Sequence, residues 1–159
     1  MQKIKIIAVG KLREQALTQL TGEYIKRLGK FCSIEVIEVA DESGPARENG
    51  PEIQRRLLVE ATRILDRLKS GAYIIALDMA GNAPDSVELS KKIGSLAGLY
   101  SEVVYIIGGS HGLHGDVLKR SDYILSLSHL TFPHQLTRLI LLEQIYRSYK
   151  IINNETYHK

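Results

Sequence analysis

Five short segments rich in β-branched residues alternate along this chain with segments of helical period, and this alternation narrows the possible folds more than any other feature. The strand-like segments are 3–9 (KIKIIAV), 34–39 (IEVIEV), 73–78 (YIIALD), 103–108 (VVYIIG) and 123–127 (YILSL), each bounded by turn residues. The third and fourth are apolar on both faces, as central strands of a parallel sheet must be. Between the segments Leu17, Leu20, Tyr24 and Leu28 recur at helical spacing, as do Ile53, Leu57, Ala61, Ile64 and Leu68, and then Leu89, Ile93, Leu96 and Tyr100. Strands and helices in series predict an α/β fold with a mostly parallel sheet, in one domain spanning all 159 residues. Residues 40–51 (ADESGPARENGP) form the one clear loop, expected as a mobile surface excursion.

The last helix breaks the usual pattern. A surface helix carries one apolar stripe, yet Leu136, Leu139, Ile140, Leu141, Leu142 and Ile145 wrap most of this one. Such a helix is either central in a core or half of a dimer interface. Charge gathers in the same region. Residues 1–118 hold fifteen basic and fifteen acidic side chains, whereas 119–159 hold six basic and three acidic ones. All five histidines lie beyond residue 110. This asymmetry hints at an anionic partner. The single cysteine, Cys32, cannot form an internal disulfide, and no segment reads as a signal peptide or a membrane span. The chain is therefore expected to be cytoplasmic, with no membrane partner.

In open parallel sheets, ligands settle beyond the carboxyl ends of the strands. Three such ends stand out: Leu77 to Gly81, Gly108 to Gly112, and Leu127 to Pro133. The glycine-rich stretch GGSHGLHG is neither a Walker A loop nor a dinucleotide fingerprint. It suits either a tight turn or close approach of a cofactor to bare backbone. It also fits G-x-S-x-G, with Ser110 as a hydrolase nucleophile followed by Asp122 and His134 or His158. Against that, Asp122 precedes a strand rather than following one, and no oxyanion segment precedes the serine. His111, His114 and Asp116 lack the further ligand that zinc sites usually have, so no metal is expected. Thr131, Phe132, Pro133 and His134 read as a helix start, with proline at the first helical position and Thr131 or a neighbour as cap. Exposed amides there also suit a polar ligand. Further along, Glu143 and Arg147 stand four apart and can pair, near Arg138. The terminal Tyr157, His158 and Lys159 read either as a frayed tail or as groups for RNA contact or proton transfer.

Taken together, IIAVGKL, ALDMAG, IIGGSHGL, SLSHLTFPHQLTRLILLEQIYR and the closing TYHK resemble one family over the whole chain. It is the SPOUT class of methyltransferases that modify N3 of a pseudouridine in bacterial large-subunit (23S) ribosomal RNA. The resemblance implies an α/β fold whose C-terminal part is threaded into a trefoil knot, an exception to the rule that chains do not knot. It implies S-adenosyl-L-methionine held among Leu77, Gly108, Gly109, Leu127, Ser128, His129, Leu130, Thr131, Phe132 and Pro133. It also implies a homodimer acting on rRNA within the ribosome or large subunit. The residues it puts forward for catalysis are His158 and Tyr157, beside Lys159, together with Arg138, Glu143 and Arg147. The tail of one subunit is then expected to reach over the cofactor pocket of the other. Asn82 departs from the family pattern, where relatives often carry lysine, and His111 and His129 occupy variable loop positions. Two other readings stand beside this one: a small α/β hydrolase using Ser110, and a non-catalytic ribosome-binding protein.

Overall fold

A computed structural model describes residues 1–44, 47 and 49–157. Pro45, Ala46 and Glu48, inside the predicted mobile loop, lie outside the described residues, as do His158 and Lys159. Five strands and five helices alternate: β1 (Lys3–Val9), α1 (Gln15–Leu28), β2 (Ser33–Val39), α2 (Gly50–Leu65), β3 (Tyr73–Asn82), α3 (Ser86–Leu99), β4 (Glu102–Ile107), α4 (Gly115–Arg120), β5 (Tyr123–Leu125) and α5 (His134–Ile152). The sheet is entirely parallel, in the order β2-β1-β4-β3-β5.

The two-residue period of the strands sorts their side chains into two cores. Ile4, Ile6 and Ala8 of β1, with Val103, Tyr105 and Ile107 of β4, face Leu28 of α1, Ile93 of α3 and Leu141, Leu142 and Ile145 of α5. Ile7, Val9, Val104 and Ile106 face Ala61 and Ile64 of α2 and Val117 of α4. The expectation that β3 and β4 are apolar on both faces holds because each is central and covered on both sides.

Helix starts follow local chemistry. Asn49 accepts the Glu52 amide at 3.0 Å to open α2, with Pro51 in its first turn. Asp85 and Glu88 form a reciprocal capping box at α3. The short α4, too brief to show a period, starts where the His114 Nδ1 accepts the Asp116 amide at 3.0 Å. Two strand ends differ from the sequence reading. β5 stops at Leu125, and β3 runs on to Asn82, because the Ser126 amide donates to the Asn82 carbonyl and Asn82 pairs with Leu125 across a register shift. Gly81 is needed at this crossing: a Cβ there would lie 2.7 Å from the Ile124 backbone.

α5 lies between α1 and α3 over the first core. Leu141, Leu142 and Ile145 are fully buried beneath it, but Leu136, Leu139 and Ile140 are only half-buried and belong to neither core. The helix is therefore central in one direction and still apolar in the other. Among the described residues, no helix is long and apolar enough to cross a membrane.

Candidate active site

The three strand ends singled out by sequence meet at the carboxyl edge of the sheet and enclose a cleft of about 370 Å³, within the range typical of small-molecule sites. Leu77 supplies one wall, Gly108 and Gly109 another, and Leu127, Ser128, Leu130, Thr131 and Phe132 a third. His129 is exposed and Pro133 is exposed, and neither lines the cleft. Asp78, Met79, Ser126, His134 and Thr137 line it as well. His134 and Thr137 had a sequence signal, since they share one face of the first helical turn. Asp78 and Met79 directly follow Leu77.

The glycine wall depends on missing side chains. A Cβ on Gly108 would sit 2.5 Å from the Gly112 carbonyl oxygen, and Gly112 itself has a φ of +77°. The turn is closed by the Gly112 amide donating to the Gly109 carbonyl at 3.1 Å. The third wall is braced internally. The Ser126 hydroxyl donates to the Ser128 carbonyl at 3.0 Å, and the Ser128 hydroxyl accepts the Leu130 amide at 3.0 Å. Thr131 does not cap α5 but donates to the Met79 sulfur at 3.6 Å. Pro133 occupies the N-cap position, not the first helical one, and no side chain caps the helix. The first turn of α5, whose His134 and Thr137 line the cleft, thus starts without a side-chain acceptor for its amides, which favours a polar or anionic group there.

The residues named for catalysis divide into two places. Glu143, Arg147 and Tyr157 are together. Arg147 pairs with Glu143 at 2.7 Å, and the Tyr157 hydroxyl donates to the same carboxylate oxygen at 3.2 Å. The Arg147 guanidinium stacks 4.8 Å from the Tyr157 ring, and Tyr146 meets that ring edge-on. Burial, then hydrogen bonding to Tyr24 and the charge of Glu143, push the Tyr157 phenol above its usual range. At neutral pH it is a donor, not a base. The hydrogen bond that Arg147 donates to Glu143 likewise raises Arg147. Glu143 and Arg147 stand about 14 and 20 Å along the helix axis from His134, well away from their own cleft.

Arg138 is elsewhere. Only 5% exposed, it donates from Nη1 to Glu38 at 2.8 Å and from Nη2 to the Gly10 carbonyl at 3.3 Å. Burial opposes ionisation of Glu38, but the hydrogen bonds from Arg138 and the Leu12 amide, with the charges of Arg138 and Lys11, hold its carboxyl below the usual range. Sequence reasoning missed Glu38 because nothing local marks a partner one hundred residues away. His158 and Lys159 lie outside the described residues.

The competing constellations are not assembled. Ser110 lines the cleft, but the Asp122 carboxylate accepts the Ile74 amide at 2.8 Å, near the start of β3 and so at the opposite edge of the sheet. The Ser110–Asp122–His134 triad is thereby lost, and with it the support for a hydrolase. The His114 ring is engaged in capping α4. Among the described residues, no group of three or more potential metal ligands is present.

Residues 2–158 match the sequence pattern of the family described as "Predicted SPOUT methyltransferase". The chain is 48% identical over 159 residues to the ribosomal RNA large subunit methyltransferase H of Acetivibrio thermocellus, covering 99% of each protein. It is equally similar, over the same share of both chains, to the protein of that name from Ruminiclostridium cellulolyticum.

Proposed function

The chain belongs to the SPOUT methyltransferase family, and from that premise we propose that it transfers a methyl group from S-adenosyl-L-methionine to N3 of a pseudouridine in 23S rRNA of the ribosome or large subunit. The observation that carries the substrate reading is the 48% identity, end to end, to proteins named for large-subunit rRNA methylation. The cleft supports the cofactor reading. Its walls offer backbone amides and carbonyls around Gly108, Gly109 and Leu127 to Phe132, which suit an adenine edge, and its glycine wall admits a ligand close to backbone. Leu77, Leu127 and Leu130 supply the apolar surface. When bound, the cofactor supplies an electrophilic methyl group on a sulfonium, so the protein's work is largely to position the acceptor.

The acceptor is an imide nitrogen that must lose its proton. A base or nearby positive charge promotes that loss. Tyr157, as a donor, orients the base or its neighbours, while His158 is the group suited to take the proton and Lys159 and Arg147 favour the anion. Within one chain Tyr157 is bound to its own Glu143 and Arg147, in the middle and later turns of α5 and away from the cleft. We therefore assign the tail to the cleft of a second protomer. The half-buried Leu136, Leu139 and Ile140 supply the apolar side for a homodimer contact. The expected protein is cytoplasmic, where ribosomes are.

The test is transfer of isotope-labelled methyl to ribosomes, free subunits and naked rRNA, followed by mass mapping. One label on N3 of a pseudouridine in 23S rRNA is expected. Label on another base, or none, overturns the substrate reading.

A further inference from the structure

The loop between β1 and α1, Gly10 to Glu14, is held from outside at three points, Gly10, Leu12 and Arg13. The Gly10 carbonyl accepts Arg138 Nη2 at 3.3 Å. Glu38 Oε2 accepts both Arg138 Nη1 and the Leu12 amide, each at 2.8 Å. The Gln135 side-chain oxygen accepts the Arg13 amide at 3.1 Å. Gly10, at φ +87°, makes the turn that lets the chain leave β1 in this direction. The pair joins a buried guanidinium to a carboxylate still 38% exposed, so its net stabilisation is modest, and the better-attested use of such a pair is to fix one geometry. Here the geometry fixed is that of this loop.

The loop also stands against the cleft. Val9, just before it, lies 3.3 Å from where a Cβ on Gly109 would be, and Gln135 directly follows His134, which lines the cleft. With the backbone engaged inward, Lys11 and Arg13 are exposed; the Lys11 charge acts on Glu38 without a contact ion pair between them. Glu14 is the loop's one acidic residue. Two long cationic side chains on a braced backbone, beside a cleft that must receive a nucleotide, suit phosphate oxygens, the contacts that position a nucleic acid without reading its bases.

We propose that the Glu38–Arg138 pair positions the Gly10–Glu14 loop so that Lys11 and Arg13 bind the phosphate backbone of the RNA substrate beside the cleft. The inference rests on the rRNA-methylating reading above and supplies it with a docking surface. Arg138 is then a positioning residue, acting only through the loop it holds.

The test is steady-state methylation of ribosomal particles across a range of salt, with cofactor affinity measured separately by calorimetry. Lys11→Ala/Arg13→Ala is expected to raise KM for the particles roughly tenfold while cofactor affinity stays within about twofold. Because two phosphate contacts are lost, log KM against log salt should flatten by about 1.5. Glu38→Ala should raise KM in the same way, and Glu38→Gln, which keeps the acceptor oxygen, should recover most of the loss. An unchanged KM and salt slope in the Lys11/Arg13 variant overturns the inference. So does a loss confined to kcat at saturating particles. If the wild-type protein methylates no rRNA, the functional reading fails and the inference falls with it. Transfer by wild type with an unaffected double variant removes the inference alone.

Discussion

Gly108 and Gly81 are the residues at which one methyl group has the largest consequence. The space for a Cβ is filled by backbone in both cases, by Gly112 at 2.5 Å and by Ile124 at 2.7 Å. Backbone cannot rotate aside as a side chain can, so Gly108→Ala is expected to destabilise the fold by about 1–3 kcal/mol. It should also weaken S-adenosyl-L-methionine binding measured by calorimetry. A Gly108→Ala protein with wild-type melting and cofactor affinity would show that the turn yields freely. Glu38 makes a prediction in pH. Its carboxyl is held below the usual range by Arg138 and the Leu12 amide against the effect of burial. A group whose folded pKa is depressed contributes stability that is present above its unfolded pKa, about 4.3 for glutamate, and is lost as pH falls through the folded value. Denaturant unfolding of wild type and Glu38→Ala should therefore differ at pH 6 and converge as the solution is acidified below about pH 4. A gap that stays constant down to pH 3 would separate the stability effect from ionisation of Glu38.

At the scale of elements, α5 connects the cleft, the β1–α1 loop and the cluster around Tyr157. Its first turn borders the cleft, its second turn carries Arg138 into the β1–α1 loop, and its later turns carry Glu143 and Arg147 to Tyr157. Its inward face is closed by Leu141, Leu142 and Ile145, while Leu136, Leu139 and Ile140 remain half-buried. Placing a charge on that outer face should disrupt self-association with little effect on the core, because Ile140 belongs to neither buried cluster. Sedimentation of Ile140→Asp is expected to show a folded monomer that has lost methyl transfer. A dimer of wild-type affinity would place the interface elsewhere. The periodicity that revealed α5 could not show this division, since Leu139 to Leu142 present four apolar residues in a row, and only their neighbours separate core from outer face. The short α4 and the early end of β5 were equally hidden. Six residues are too few for a helical period, and β5 ends where Ser126 turns its amide to Asn82.

At the scale of the whole molecule, Tyr157 packs on Glu143 and Arg147, about 14 and 20 Å along α5 from His134 at the cleft, and the proposed completion of the cleft by a second protomer's tail follows from that separation. Mixed dimers test this. A protomer lacking residues 157–159 and a protomer carrying Gly108→Ala should each be nearly inactive alone. When mixed, they should regain up to about a quarter of the wild-type activity, because one of the two sites in a statistical half of the dimers then has a sound cleft and a sound tail. Mixtures that stay inactive would return the tail to its own chain. Much of this architecture was legible from residue order. The α/β class, the parallel sheet and the meeting of three loops at one edge follow from strand and helix periods, which are local and survive in a linear reading. The motifs at Gly108 and from Leu127 to Phe132 marked the walls of the cleft for the same reason, although His129 and Pro133 in that stretch do not line it. The roles of Glu38, Gly10 and Gln135 were decided only by the tertiary structure. Their partners lie 100, 128 and 122 residues away along the chain, and no periodicity or motif encodes a contact made solely by the return of α5 across the ends of β1 and β2.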